Sequence, residues 1–77
     1  MKELCDLLYE ETRQLLINSN RIGEKIAQLE NQKVKRTISE MVKTVQADLL
    51  ILLELLGDIS SSLECEWEEI IQRYENE

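Results

Sequence analysis

With 77 residues, 16 Asp and Glu against 9 Lys and Arg, and no His, Pro or Phe, the chain is a single small acidic domain of formal net charge −7. The missing His removes the commonest general base and the commonest transition-metal ligand together, so neither catalysis nor a metal or other cofactor is expected. A core of this size supplies about 3–5 kcal/mol unaided, a deficit usually met by disulfides, a metal or oligomerisation; Cys5 and Cys65 form no Cys-x-x-Cys pair and read as reduced cytoplasmic thiols, a disulfide being the alternative that a hairpin joining the two ends would allow, so oligomerisation is favoured.

The opening Met1-Lys2-Glu3-Leu4-Cys5-Asp6 lacks the basic-then-apolar profile of a secretory signal. The most apolar run, Leu49 to Leu56, is far shorter than the roughly 20 residues of a membrane span. A cytoplasmic protein away from membranes is expected. Leu4, Leu8, Leu15, Ile22, Ile26 and Leu29 recur at threes, fours and sevens, predicting a first helix over about 2–30. A turn is expected at about 31–33. Beyond it, Ile38, Val42, Val45, Leu49, Leu52, Leu56, Ile59, Leu63, Trp67, Ile70 and Tyr74 alternate steps of three and four, predicting a second helix over about 34–75. Unbroken, it would be roughly 65 Å long at the usual rise per residue. Two features could cut it between 57 and 61: Gly57-Asp58, and Ser61 with Glu64 as a capping box. The stripe runs through Ile59 and Leu63 without interruption, which favours continuity; a break would give three helices. The fold expected is all-α, a long helical hairpin assembling into an antiparallel bundle.

Between Leu49 and Leu56 every residue but Glu54 is apolar, and a helix apolar nearly all round is usually surrounded. Val45, Leu49, Leu52, Leu53, Leu56, Ile59 and Leu63 are therefore the expected self-association surface, closed by a second copy. Charge sets its direction. The acidic and basic residues of 1–48 cancel, and the whole excess lies in the tail, where Glu54, Asp58, Glu64, Glu66, Glu68, Glu69, Glu75 and Glu77 face only Arg73. An antiparallel pair brings the basic stretch from Lys33 to Lys43 towards that tail, whereas a parallel pair stacks like on like.

Helix one carries Glu11, Thr12, Asn18 and Ser19 among its apolar positions, and a turn at 31–33 sets Asn18 level with Gln46 and near Asp48. Polar residues inside a bundle commonly fix register and oligomeric state. Glu10, Glu11, Glu24 and Asp48 could look inward, but di-metal bundle sites want Glu-x-x-His motifs, which are absent, so solvated roles are expected. Arg21, Lys25, Lys33 and Arg36, with Lys35 among them, gather charge near the turn and form an alternative site for a small phosphorylated ligand; duplex nucleic acid is disfavoured by the overall acidity. Trp67 keeps step with Leu63, Ile70 and Tyr74 as a core residue would. Amid Glu66, Glu68 and Glu69 it is also a candidate partner-binding anchor, since Trp dominates binding hot spots.

The stretch Ile22-Gly23-Glu24-Lys25-Ile26-Ala27-Gln28-Leu29, with Ala47-Asp48-Leu49-Leu50, resembles the helical MazG-type nucleotide pyrophosphohydrolases. That family binds magnesium through carboxylates, of which Glu24 and Asp48 match, whereas Lys25, Gln28 and Val45 stand where the others belong; the likeness therefore implies a degenerate relative that has lost the metal and hydrolysis with it. Leu16-Ile17-Asn18 through Leu29, with Ile38 to Leu53 folding back and Lys43, Thr44 and Gln46 on the second helix, is similar to phage sponge proteins. This second likeness implies an oligomer that sequesters cyclic nucleotide signals. The function expected from the residues themselves is a non-enzymatic, self-associating regulator, inhibitor or adaptor that binds a partner protein.

Overall fold

A computed structural model describes residues 2–75 as three helices in one elongated unit. Helix α1 spans Lys2–Ile26, α2 spans Gln32–Ser61, and a 3-10 turn at Glu64–Glu66 leads into α3, Trp67–Glu75. The molecule measures 52 × 25 × 11 Å and its radius of gyration is 15.9 Å. A compact domain of this length would have a radius of about 11.5 Å. The third dimension is one helix thick, so the hairpin is a single layer.

Helix α1 ends four residues before the expected limit of 30, and the turn occupies 27–31. Asn31 explains the shift. Its side-chain oxygen accepts from the backbone N–H groups of Lys33 and Val34, both at 3.1 Å, so it starts α2 as an N-cap. Gln28 N and Leu29 N fold back on the carbonyls of Lys25 and Ile26 at 3.0 Å and close the last turn of α1.

The seam between α1 and α2 is where the residues of lowest exposure lie. On α1 these are Cys5, Tyr9, Thr12, Leu16, Ser19, Gly23 and Ile26, alternating steps of four and three; on α2, Ser39, Val42, Gln46, Leu49, Leu53, Leu56 and Ser60 do the same. This is the heptad spacing of an antiparallel coiled coil. Its α1 side mixes the small Cys5, Thr12, Ser19 and Gly23 with the larger Tyr9, Leu16 and Ile26. Thr12 and Ser19 are buried at no polar cost, because their hydroxyls donate to the Leu8 and Leu16 carbonyls at 2.7 Å. Gln46 crosses the seam, its amide donating to Ser19 Oγ at 3.2 Å and Asn20 Oδ1 at 2.9 Å. Asn18 and Asp48, expected to join Gln46 in a polar cluster inside the bundle, are instead exposed, Asn18 accepting from Gln14 at 3.4 Å, and Gln46 takes Ser19 and Asn20 as its partners.

Helix two breaks, against the expectation of continuity, but not at Gly57-Asp58. Gly57 stays helical because it faces Tyr9, whose Cε2 lies 3.8 Å from where a Cβ would sit, and Asp58 serves as an acceptor for the Tyr74 hydroxyl at 2.7 Å. The chain leaves the helix at Ser62 and Leu63, both extended. Ser62 N and the Trp67 indole Nε1 donate to the Ile59 carbonyl at 3.3 and 3.2 Å, satisfying a helix-end group. The Ser61 hydroxyl points back to the Asp58 carbonyl, and the carboxylate that closes on the new helical segment is Glu66, accepting from Leu63 N at 3.1 Å. The capping pair is therefore Leu63 and Glu66 where Ser61 and Glu64 were expected. Helix α3 returns along the end of α2 and buries Ile70.

Gly23 lies within α1 with no atom inside 4 Å of the place a Cβ would take, and its φ is ordinary. Glycine inside a helix costs about 1 kcal/mol relative to alanine. Gly23→Ala is expected to raise stability by about that amount in a urea titration, with the slope unchanged.

Candidate functional site

Each helix carries a second apolar stripe, set roughly a quarter-turn from the seam. On α1 and the following turn it is Leu4, Leu8, Leu15, Ile22 and Leu29; on α2 it is Val34, Ile38, Met41, Val45 and Leu52, continued by half-buried Ile59 and exposed Leu63. The fully exposed members range from 37% at Ile38 to 69% at Leu63. Because α1 and α2 are antiparallel, displacement in the same rotational sense puts both stripes on one face of the layer. A wholly apolar hollow lined by Ile22 of α1 with Ile38, Met41, Val42 and Val45 of α2 shows the two stripes meeting. The opposite face carries Asp6, Arg13, Asn20, Glu24, Lys43 and Ser61 with the exposed Ile17 and Leu50, and holds two shallow hollows.

The seven residues expected to mediate self-association divide between these surfaces. Leu49, Leu53 and Leu56 belong to the seam with α1, and Leu56 is 7% exposed. Val45, Leu52, Ile59 and Leu63 lie on the open apolar face. The residues missing from the expected set are those of α1, together with Val34, Ile38 and Met41. Their signal is the 4, 8, 15, 22, 29 series, which reads as the core-facing stripe when the small residues beside it are overlooked. Helix α3 does not cover the face either. It packs on the side of α2 away from α1, against the end that contributes Ile51, Glu54 and Asp58.

Glu66, Trp67, Glu68 and Glu69 come together at the open end of the hairpin. Trp67 is half-buried with its indole N–H committed to Ile59, and Glu66 is engaged with Leu63, so Glu68 and Glu69 are the free carboxylates of the group. Arg21, Lys25, Lys33 and Arg36 are all exposed near the hairpin tip; Arg36 lines a shallow hollow with Lys35, Lys43, Gln32, Ser39 and Glu40, and the other three do not share it. Glu24 and Asp48 fall on opposite faces of the layer by helical period. Among the described residues no three Cys, Asp or Glu side chains gather as a metal would need. Glu10 is paired with Arg13 at 3.1 Å, Cys5 is buried and Cys65 exposed as free thiols, and among the described residues no helix is long and apolar enough to cross a membrane.

Compared with protein-family models, curated proteins and solved structures, the chain matches none of them. Functional argument therefore rests on the apolar face and the charged ends.

At the acidic end the Tyr74 hydroxyl is pushed up from an ordinary value of 10.0 to about 12, chiefly because it donates to Asp58, with burial and the Asp58 and Glu54 charges adding to this. The neutral phenol is the form that the docked helix favours. Its contribution is complete below pH 10 and is lost as pH rises towards 12. Fluorescence of Trp67 should report α3 leaving α2 across that window, and Tyr74→Phe should abolish this step while leaving α3 more loosely docked at neutral pH.

Proposed function

We propose that this chain is a non-enzymatic, self-associating helical protein that acts by binding a partner protein: a second copy closes its apolar face, and its acidic open end meets the partner. The apolar face carries this reading. Eleven large apolar residues of this face, from Leu4 at 56% to Leu63 at 69%, are exposed along a layer 52 Å long. A soluble monomer rarely exposes a contiguous apolar patch beyond a few hundred Å². Two layers stacked on such faces make a four-helix bundle, which gives this small chain the larger core that its length denies it.

Stacking on the apolar side leaves α3 at the edge with Glu68 and Glu69 outward. Those carboxylates suit a basic target surface, where opposite charge speeds encounter and selects among partners. Trp67 supports this by fixing the start of α3 through Ile59. The mechanism is occlusion of a basic site on the target. A second reading, a small phosphorylated ligand at the hairpin tip, draws on Lys35, Arg36 and Lys43 around one hollow. Glu40 in the same hollow opposes an anion.

Sedimentation or light scattering should give at least twice the 9.1 kDa chain mass, and Val45→Glu or Leu15→Glu should return it to one chain while the helical circular dichroism persists. A monomeric parent protein would remove the self-association reading. For a captured partner, Glu68→Gln with Glu69→Gln should weaken binding and flatten its salt dependence. A thermal shift with nucleotides but none with basic proteins would favour the phosphorylated-ligand reading instead.

A further inference from the structure

The apolar face contains four polar positions, and their spacing has a pattern. Glu11, Asn18 and Lys25 are seven residues apart on α1, all exposed, on the outer flank of the Leu4, Leu8, Leu15, Ile22, Leu29 stripe. Asp48 has the equivalent place on α2, between Val45 and Leu52. The hairpin register fixes their levels. Ser60 donates to Asp6, Gly57 faces Tyr9 and Gln46 meets Asn20, so each step down α1 is one step up α2. The same register sets Asn18 level with Asp48, midway along the face.

We infer that the second copy docks on the apolar face antiparallel, tip over open end, about a twofold axis passing between Asn18 and Asp48, with Glu11 of each copy paired to Lys25 of the other. This rests on the self-association reading and adds its geometry. A twofold axis across the hairpin lays α1 on α1 and α2 on α2, each pair antiparallel, and each contact occurs twice. Centred on Asn18, the α1 pair sets Leu15 against Ile22, Leu8 against Leu29 and Glu11 against Lys25. Centred on Asp48, the α2 pair sets Val45 against Leu52, Met41 against Leu55, Ile38 against Ile59 and Val34 against Leu63. One axis satisfies both helices.

The alternative, with both tips at one end, lays α1 on α2 of the second copy. The apolar residues still match, but Glu11 then faces Leu55 and Lys25 faces Met41, which leaves both charges at the rim without an opposite partner. It also stacks the basic tips, with Arg21, Lys25, Lys33, Lys35 and Arg36, and the acidic ends, with Glu64, Glu66, Glu68 and Glu69. Antiparallel docking sets basic against acidic at both ends of the layer. Its one unfavourable contact is Asp48 against Asp48 at the axis, at the rim where water screens it.

Three substitutions test this in the full chain, with dimer dissociation followed by sedimentation. Glu11→Lys or Lys25→Glu alone places like charges together twice and should weaken the dimer roughly tenfold or more; the double swap should restore it. Asp48→Asn should tighten the dimer. Asn18→Cys in a Cys65→Ser background should give a disulfide-linked dimer under mild oxidation, since Cys5 is buried. A dimer in which the double swap fails to restore affinity, Asp48→Asn weakens it, or Asn18→Cys does not crosslink, overturns the antiparallel register while leaving self-association standing. A monomeric parent overturns both.

Discussion

The choice of which α1 stripe faces α2 governs the rest of this structure. The seam side of α1 holds the small or hydroxylated Cys5, Thr12 and Ser19 with Tyr9, Leu16, Gly23 and Ile26, and not the neighbouring stripe of large apolar residues. The two hydroxyls are tolerated because each bonds a carbonyl of its own helix. Once these residues hold the inner positions, the five large apolar residues of the neighbouring stripe must point elsewhere. They turn to one side of the layer, and the matching stripe of α2 turns with them. The hairpin therefore satisfies its polar seam and leaves most of its apolar surface uncovered, which is why the buried apolar residues are only Cys5, Ile26, Leu56 and Ile70 among those described.

The open end solves a separate problem. A helix ending at Ser61 leaves carbonyls without partners, and donors close by in the chain meet them: Ser62 N and Trp67 Nε1 for Ile59, the Ser61 hydroxyl for Asp58. These contacts, with Ile70 and the bond from Tyr74 to Asp58, hold α3 on the side of α2 opposite α1. Had α3 followed the Val45 and Leu52 stripe, it would have closed the face within one chain. Its actual position widens the layer and leaves the face open, so the exposed apolar face on which the proposed self-association rests follows from where nine residues dock.

Much of this is legible in the sequence. Periods of three and four give two long helices and a hairpin, and the acid excess falls at the end that carries α3. The assignment of stripes is not legible, because hydrophobicity ranks Leu4, Leu8 and Leu15 as core above Cys5, Thr12 and Ser19. Burial follows the tighter fit. The break in helix two is visible as Ser61-x-x-Glu64, a pattern of the right kind displaced by two residues from Leu63 and Glu66. What decides the place is the reach of the Trp67 indole to Ile59, a contact eight residues long that no local pattern encodes. Asn31 reads as part of the turn in sequence, and its capping of α2 moves that turn towards α1.

An apolar face is poor at specifying direction, since Leu, Ile, Val and Met pack acceptably against one another in either orientation. Direction has to come from the few positions where mismatch is costly. On this face those are Glu11, Asn18, Lys25 and Asp48, and three of the four are arranged as a sequence that is its own complement when reversed about Asn18. Each pair lies at the rim, where an ion pair is worth a few tenths of a kcal/mol, too little to hold two chains together. The difference between orientations is larger than any one pair, because symmetry doubles each contact and the rejected arrangement sets unpaired charges against Leu55 and Met41. In the proposed dimer the apolar stripes thus supply the attraction, and the rim charges choose among the geometries that the stripes would otherwise allow.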